Sequence, residues 1–526
     1  MGDSWACPGK ELRLRRRRVP NRIVILLLGL LGLAACTPST TPRKAGEYSP
    51  AITGFAAVAG ECHGFETDSA VDLRALVASQ PEGSTFCLAP GTYRVKASLV
   101  LKSGQKLIGA GGGAVISGAK LVSATKDGAY WVITGQASLG QSTFPDTTTD
   151  QCRPVDDLDP EGMCVYRDQV FLDDASLWQV GSLGELSPGE FFWDYAANRI
   201  YLADDPSGRK LEVSVARNGI SGGSGVEIRS LTVEKFGNGV QTGAVSAGVN
   251  WVITGVDVRL NHGGGVRMGP GTIVRNSFIH HNGELGIAGG QADCSRAKGI
   301  VLENSELSYN NTAGYNWGWE AGATKWVHTD GLIVRNNYVH DNYGNGLWTD
   351  GFNINTVYEG NVVEDNYGAG IMHELGYAAV IRNNQIRGNA FAHPYAAQGY
   401  RSGIFIAEAR DVEVYGNTVE NNAGGIVALQ QDRIGDRCAI GLNNEITNLF
   451  VHDNTIVEAT GLAAGLRVTI SDPSYYTSKN NRWEENIYHL DDLNAARFLW
   501  QSGYVDAEAW RSFGLDQPGA VFDQIT

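Results

Sequence analysis

Between Gly265 and Ile470 the chain repeats one short pattern: an apolar burst, an asparagine-bearing bend, a second burst, an Asn-Gly turn and a third burst. The fragments GLIVRNNYVHDNYGNGLWTD and NTVYEGNVVEDNYGAGIMHELG carry it in consecutive copies, and Asn337, Asn361 and Asn384 mark it at intervals of 24 and 23 residues. Similar units return at Asn276, Asn304, Asn417 and Asn454 with longer excursions. A period in that range marks a solenoid, in which each unit buries its apolar face only against its neighbours. No helical stripe of useful length survives here. Glycine and asparagine, which reach left-handed backbone angles cheaply, fall where each coil must bend. The pattern predicts an all-β chain built as a parallel β-helix, so that 526 residues count coils rather than ordinary domains.

The 67 glycines fit a chain that turns every few residues, and they follow no collagen period. A formal charge of −15, scattered rather than blocked, argues against a nucleic-acid partner, because phosphate binding needs a concentrated basic surface. An anionic sugar needs only a local basic patch and stays open.

Residues 1–36 read as targeting sequence. Arg13, Arg15 to Arg18 and Arg22 form a basic region, and Ile23 to Ala35 an apolar core too short for a comfortable membrane span. Leu33-Ala34-Ala35-Cys36 resembles the lipobox of bacterial lipoproteins. That resemblance implies cleavage before Cys36, lipidation of its sulfur, and an exported chain anchored to a lipid membrane at the cell surface or periplasmic face. An ordinary secretory signal is the alternative. Residues 37–60 read as a flexible tether. In an exported chain the remaining six cysteines of the mature part are expected to pair, and nearest neighbours give Cys62–Cys87, Cys152–Cys164 and Cys294–Cys438.

The solenoid is expected over 61–485. A short helix from Ala70 to Val77, capped by Asp68 or Ser69, closes its N-terminal end. The rhythm breaks over about 124–221, where aromatic and β-branched runs predict a small antiparallel β subdomain. Residues 486–526, with the helix-like AEAWRSFG, predict a closing cap. A monomer is expected.

With coils, bends and caps in place, the chain from roughly Val71 to Leu499 resembles the pectate-lyase-like superfamily of right-handed parallel β-helices. The insert also resembles a small β subdomain found in some glycoside hydrolases and lyases of that fold, through Trp178, Pro188-Gly189, Phe191 to Asp194 and Ile200 to Leu202. The resemblance implies carbohydrate as the substrate class. The signature motifs of mannuronan epimerases, polygalacturonases and pectate lyases are absent, so it implies no particular glycan.

Candidate chemistry comes from the strands that follow the Asn-Gly turns: GVRMG, GWEAG, GLWTD, GIMHE, GIFIAE, GIVALQQ and GLRVT. The residue after glycine points inward and the next points out, in alternation. This rule sends Trp348 and Asp350 to solvent from one coil and Met372 and Glu374 from the next, with Glu320 one coil earlier and Glu408 one coil later. Coils stack about 5 Å apart, so Asp350 and Glu374 become vertical neighbours. Such a ladder of like charges needs a cation, a shared proton or a substrate to offset it.

Glu374, Asp350, Glu320, His373 and Lys325 are the candidate catalytic residues. Trp348, Trp319, Trp317, Arg401, Arg467 and Glu408 are the candidates for binding a sugar polymer, with His328 and Arg410 also near in register. His373 alternatively points into the coil. The stacked asparagines read as structural. Two enzymatic readings follow: carboxylate acid/base hydrolysis of glycosidic bonds, and a lyase in which the carboxylates hold Ca2+ while a nearby base takes a proton from a uronate. A non-catalytic glycan-binding β-helix is the third. The metal, if any, and the glycan are left open.

Overall fold

The computed structural model describes residues 61–142, 152, 162–291, 294–391, 400–436, 438, 440–458, 461–501, 503–517 and 519–524. The expected signal, lipidated Cys36 and tether lie outside these residues. Among the described residues no helix is long and apolar enough to cross a membrane.

Each coil contributes one strand to each of three 13-stranded sheets. The first sheet runs from Phe65–Thr67 to Arg482–Glu484, the second from Leu99–Leu101 to Gly503–Val505, and the third from Gly91–Arg94 to Val521–Gln524. The second carries the candidate residues and is called the site sheet below. Strands stack in parallel register, Ile371 on Ile404 on Ile426, and only the closing pair Phe498–Trp500 with Gly503–Val505 is antiparallel among site-sheet neighbours. The inward residues Leu347, Ile371, Ile404 and Ile426 lie in one continuous core running the length of the coil. Parallel stacking continues past residue 485, because Ile487–Leu490 and Val521–Gln524 still pair in the third sheet.

Two asparagine ladders hold the bends. In one, the side-chain amide of Asn337 donates to Asn361 Oδ1, Asn361 to Asn384, Asn384 to Asn417, Asn417 to Asn454 and Asn454 to Asn486. It ends on Asp516, whose carboxylate also accepts from Tyr488 and Trp510. The other runs Asn261, Asn282, Asn310, Asn342, Asn366, Asn389, Asn422. It helps to exclude a side chain at the glycines before Ile371–Glu374 and Ile404–Ala407: a Cβ on Gly370 would lie 3.0 Å from Asn389 Nδ2, and one on Gly403 2.8 Å from Asn422 Nδ2. Asn276, Asn304, Asn336 and Asn383 are not in the ladders. They sit exposed at φ near +50° (50°, 49°, 56° and 56°), each just before the inward residue.

Three expectations are corrected. The N-terminal helix is Leu73–Ser79 with Asp72 as its cap, because Asp72 rather than Asp68 or Ser69 accepts the Ala75 N–H. GWEAG is not a strand: Asn316 caps a helical turn at Trp317–Glu320, and the coil resumes at Gly322–Val327. The insert is not wholly antiparallel: it forms two small sheets, one containing Ala119–Leu121 and Leu211–Ser214, the other with one parallel pair, Trp178–Val180 beside Glu190–Asp194. Cys62 pairs with Cys87, Cys152 with Cys164 and Cys294 with Cys438.

Candidate functional site

The outer face of the site sheet carries Asp350 and Glu374 on adjacent strands. Trp348 pairs with Met372 and Thr349 with His373, and the same register continued by one residue sets Asp350 beside Glu374. The row then runs through Ala407 and Leu429 to Arg467. Glu408 lies one residue past that row, at φ 43°, and turns back toward it.

Two cations interleave with the acids. Lys325 Nζ is 3.1 Å from Glu320 Oε2 and 3.0 Å from Asp350 Oδ2, donates to the Trp319 carbonyl, and stands 3.9 Å from the Trp348 ring centre. Arg433 Nη1 is 2.5 Å from Glu374 Oε1 and 3.3 Å from Glu408 Oε2. Glu408 Oε1 accepts the Gln431 N–H at 2.8 Å. The offset that a carboxylate ladder requires is thus supplied by the chain itself.

Burial decides which protons stay. It raises the Glu374 carboxyl, the negative charge of Asp350 raises it further, and Arg433 only partly opposes them. Burial also pushes Glu408 up, to about 7, against the Arg433 guanidinium and the Gln431 N–H, which favour the charged form. Three coils before Glu374, Glu284 is fully buried, accepts the Gln241 N–H with both oxygens, and is held well above the usual carboxylate range by burial and by Glu320. For Lys325, burial works against the charge but Glu320 and Asp350 outweigh it, so the ammonium is kept. The centre therefore combines buried acids whose proton affinity is raised with two fixed cations.

Several expected residues sit elsewhere. Trp348 and Met372 do point outward but do not face solvent. They are 2% and 5% exposed, packed with Ala369, Phe405, Ala407 and Leu429 in an apolar layer outside the coil, with Tyr400 against it. Trp317 is buried against Cys164 of the insert, Val240 and Tyr315, so it offers no open sugar platform; Trp319 lies half-buried beside it. His373 points into the coil, bonds Thr349 Oγ1 at 2.8 Å and is lowered by burial to about 4. The chain turns tightly against it, since a Cβ on Gly376 would lie 2.4 Å from its Nε2. Arg401 ties its guanidinium to the Ala390 and Phe391 carbonyls, and Arg410 to Asp411.

Sequence reasoning missed Arg433 and Glu284. Arg433 is 59 residues beyond Glu374, in an excursion without strand alternation, and the cysteine pairing was the one signal tying that excursion to an earlier coil. Glu284 stands in a turn, GEL, of the kind the repeat makes look structural.

The carboxylates do not converge as a calcium cage does, with six or more oxygens about one point. Lys325 and Arg433 fill the spaces between them, so these residues give calcium no fitted seat. Among the described residues, the single group of three metal-capable side chains is Cys294, His328 and Cys438, whose two sulfurs are joined to each other.

Residues 220–401 match the family described as the right-handed beta helix region. The fold is a right-handed parallel β-helix. Among solved structures, XylC in complex with xylose superposes with a TM-score of 0.63 at 12% identity, over 87% of this chain and 86% of that one. The A-module of the Azotobacter vinelandii mannuronan C-5 epimerase AlgE6 gives 0.46 at 17% identity, over 87% and 94%. A PL6-family polysaccharide lyase from Pseudopedobacter saltans gives 0.45 at 10%, over 88% and 92%. No curated protein matches the sequence. At these identities the likeness is one of fold.

Proposed function

We propose that the chain is a carbohydrate-active enzyme that cleaves glycosidic bonds with the carboxylates of Asp350 and Glu374. The observation that carries this reading is their adjacency in register on neighbouring coils, with Asp350 paired with Lys325 and Glu374 paired with Arg433 and raised by burial and by the charge of Asp350. Glu374 protonates the departing glycosidic oxygen. Asp350 attacks the anomeric carbon from the opposite face, and water, deprotonated by Glu374, then releases the sugar. Neighbouring strands stand about 4.8 Å apart, and the two carboxyls are taken to stand about 5–5.5 Å apart, as in retaining enzymes. The anomeric configuration is therefore expected to be retained. The xylose named in the XylC complex supports a neutral sugar as substrate. The lipobox-like LAAC supports an exported enzyme anchored at a membrane, where glycan fragments arrive.

An eliminative reading rests on different residues. Arg433 and Arg467 flank the acidic row and are chemically suited to a uronate carboxylate. A non-catalytic glycan binder is the remaining reading. The deciding experiment is a panel of neutral and uronic polysaccharides and aryl glycosides, scored for reducing ends, for absorbance of unsaturated uronates and for product anomer, with and without EDTA. Reducing ends with retained configuration, insensitive to EDTA, are expected. Unsaturated products, with or without EDTA, overturn hydrolysis in favour of the lyase, and tight glycan binding without turnover favours the binder.

A further inference from the structure

Arg433 reaches the site from a loop that is built to hold it. Its carbonyl accepts from Asn444 Nδ2 at 2.8 Å, the Asn444 N–H returns to Gly435 at 3.1 Å, and Asp436 gathers the N–H groups of Ile440 and Gly441 at 2.8 and 2.6 Å. The stem is closed by Ile446 N–H donating to Gln430 Oε1 at 2.7 Å. One covalent tie is added: Cys438 of this loop bonds Cys294, 144 residues earlier. Cys294 follows strand Leu285–Gly290 and the loop follows strand Ile426–Gln430, with four site-sheet strands between them. Those four carry Lys325, Trp348, Glu374 and Ala407. The bridge is a strap across the coils that hold the acids.

We propose that Arg433 is a positioning residue, held over Glu374 and Glu408 by the Cys294–Cys438 strap, and that its guanidinium governs how tightly Glu374 keeps its proton. The groups acting on Glu374 are Asp350 from its own sheet, Arg433 from the loop and Lys325 one coil further, with Glu408 sharing the guanidinium. Asp350 and burial favour the proton, so Arg433 is the nearest influence that lets it leave. An acid that must give its proton and then take one from water needs both tendencies in balance. The importance of that balance for turnover rests on the hydrolytic reading above. The electrostatic coupling itself does not.

The test reads protonation rather than turnover. The full chain is labelled with 13Cδ-glutamate and titrated by NMR, the Glu374 signal being assigned by its loss in E374Q. Replacing Arg433 by Met is expected to raise the Glu374 midpoint by about 1–3 pH units, as loss of an adjacent opposite charge does. R433K is expected to restore most of it. The paired C294S/C438S variant, with Arg433 intact, is expected to shift the midpoint in the same direction as R433M. An unmoved midpoint in R433M overturns the proposal, and an unmoved midpoint in folded C294S/C438S overturns the strap. If the cysteine variant does not fold, mild reduction of the native chain, with thiol counting, replaces it. Shifted midpoints in a chain that cleaves no glycan sink the hydrolytic reading alone.

Discussion

Glu408 shows how burial and charge compete at a single carboxyl. It has no exposed surface and an arginine within 3.3 Å, yet burial lifts it from 4.5 to about 7. The protonated form is the one the folded chain tolerates. Its contribution to stability is therefore complete below about 4.5, the unfolded value, and is lost as pH rises through about 7. The thermal midpoint of the native chain is expected to fall across that window, and E408Q, which cannot ionise, to flatten the fall. A slope equal to the native one in E408Q would remove Glu408 as its cause. Glu374 makes a kinetic prediction at the same scale. E374Q should keep the fold and lose about 10²–10⁴-fold in turnover, the contribution of a positioned general acid, with aryl glycosides of good leaving groups least affected. Alternation along the strand was enough to foresee Asp350 beside Glu374, because in-out geometry is local. It could not foresee that Trp348 would be covered, since its cover comes from Lys325 and from residues such as Phe405 and Leu429 on later coils.

At the scale of the element, the asparagine ladders convert a sequence period into a direction. Every rung from Asn337 onward passes its amide N–H toward the C-terminus, and the last donor meets Asp516, an acceptor that closes the series. Asn384 sits mid-ladder. Its Oδ1 takes both the backbone and side-chain N–H of Asn361, and its Nδ2 serves Asn417 and the Tyr358 carbonyl. N384A leaves those buried groups without partners, at about 1–3 kcal/mol for each group stranded. A clear drop in the urea midpoint is expected, larger than for N383A, whose exposed side chain lies outside the ladder. The coil was legible because each unit repeats the same local solution. The helical turn at Trp317–Glu320 was not, because GWEAG shares the glycine-led form of the strands and only the asparagine cap and the packing against Cys164 and Tyr315 turn it into a helix.

At the scale of the whole molecule, the insert is joined to the coils in two places, the second of them at the site. Lys235, fully buried at the end of a third-sheet strand, meets Asp174 and Glu212 of the insert, and Glu212 is also held by Arg94 at 2.6 Å. Farther along, Cys164 and Val165 of the insert pack on Tyr315, Trp317 and Trp319, the segment that presents Glu320 to Lys325. Breaking a buried ion pair by removing one partner costs about 3–5 kcal/mol, because the other charge is left in place. K235M should therefore loosen the insert, and calorimetry should show a transition below the main unfolding of the coils. The coils themselves should hold, since their core and ladders do not pass through Lys235. If the insert is the buttress of Glu320, turnover in K235M should decline with that early transition while the pH dependence of the thermal midpoint assigned to Glu408 stays unchanged. An early transition with full turnover would instead make the insert an appendage and leave Glu320 positioned by the Asn316 cap alone.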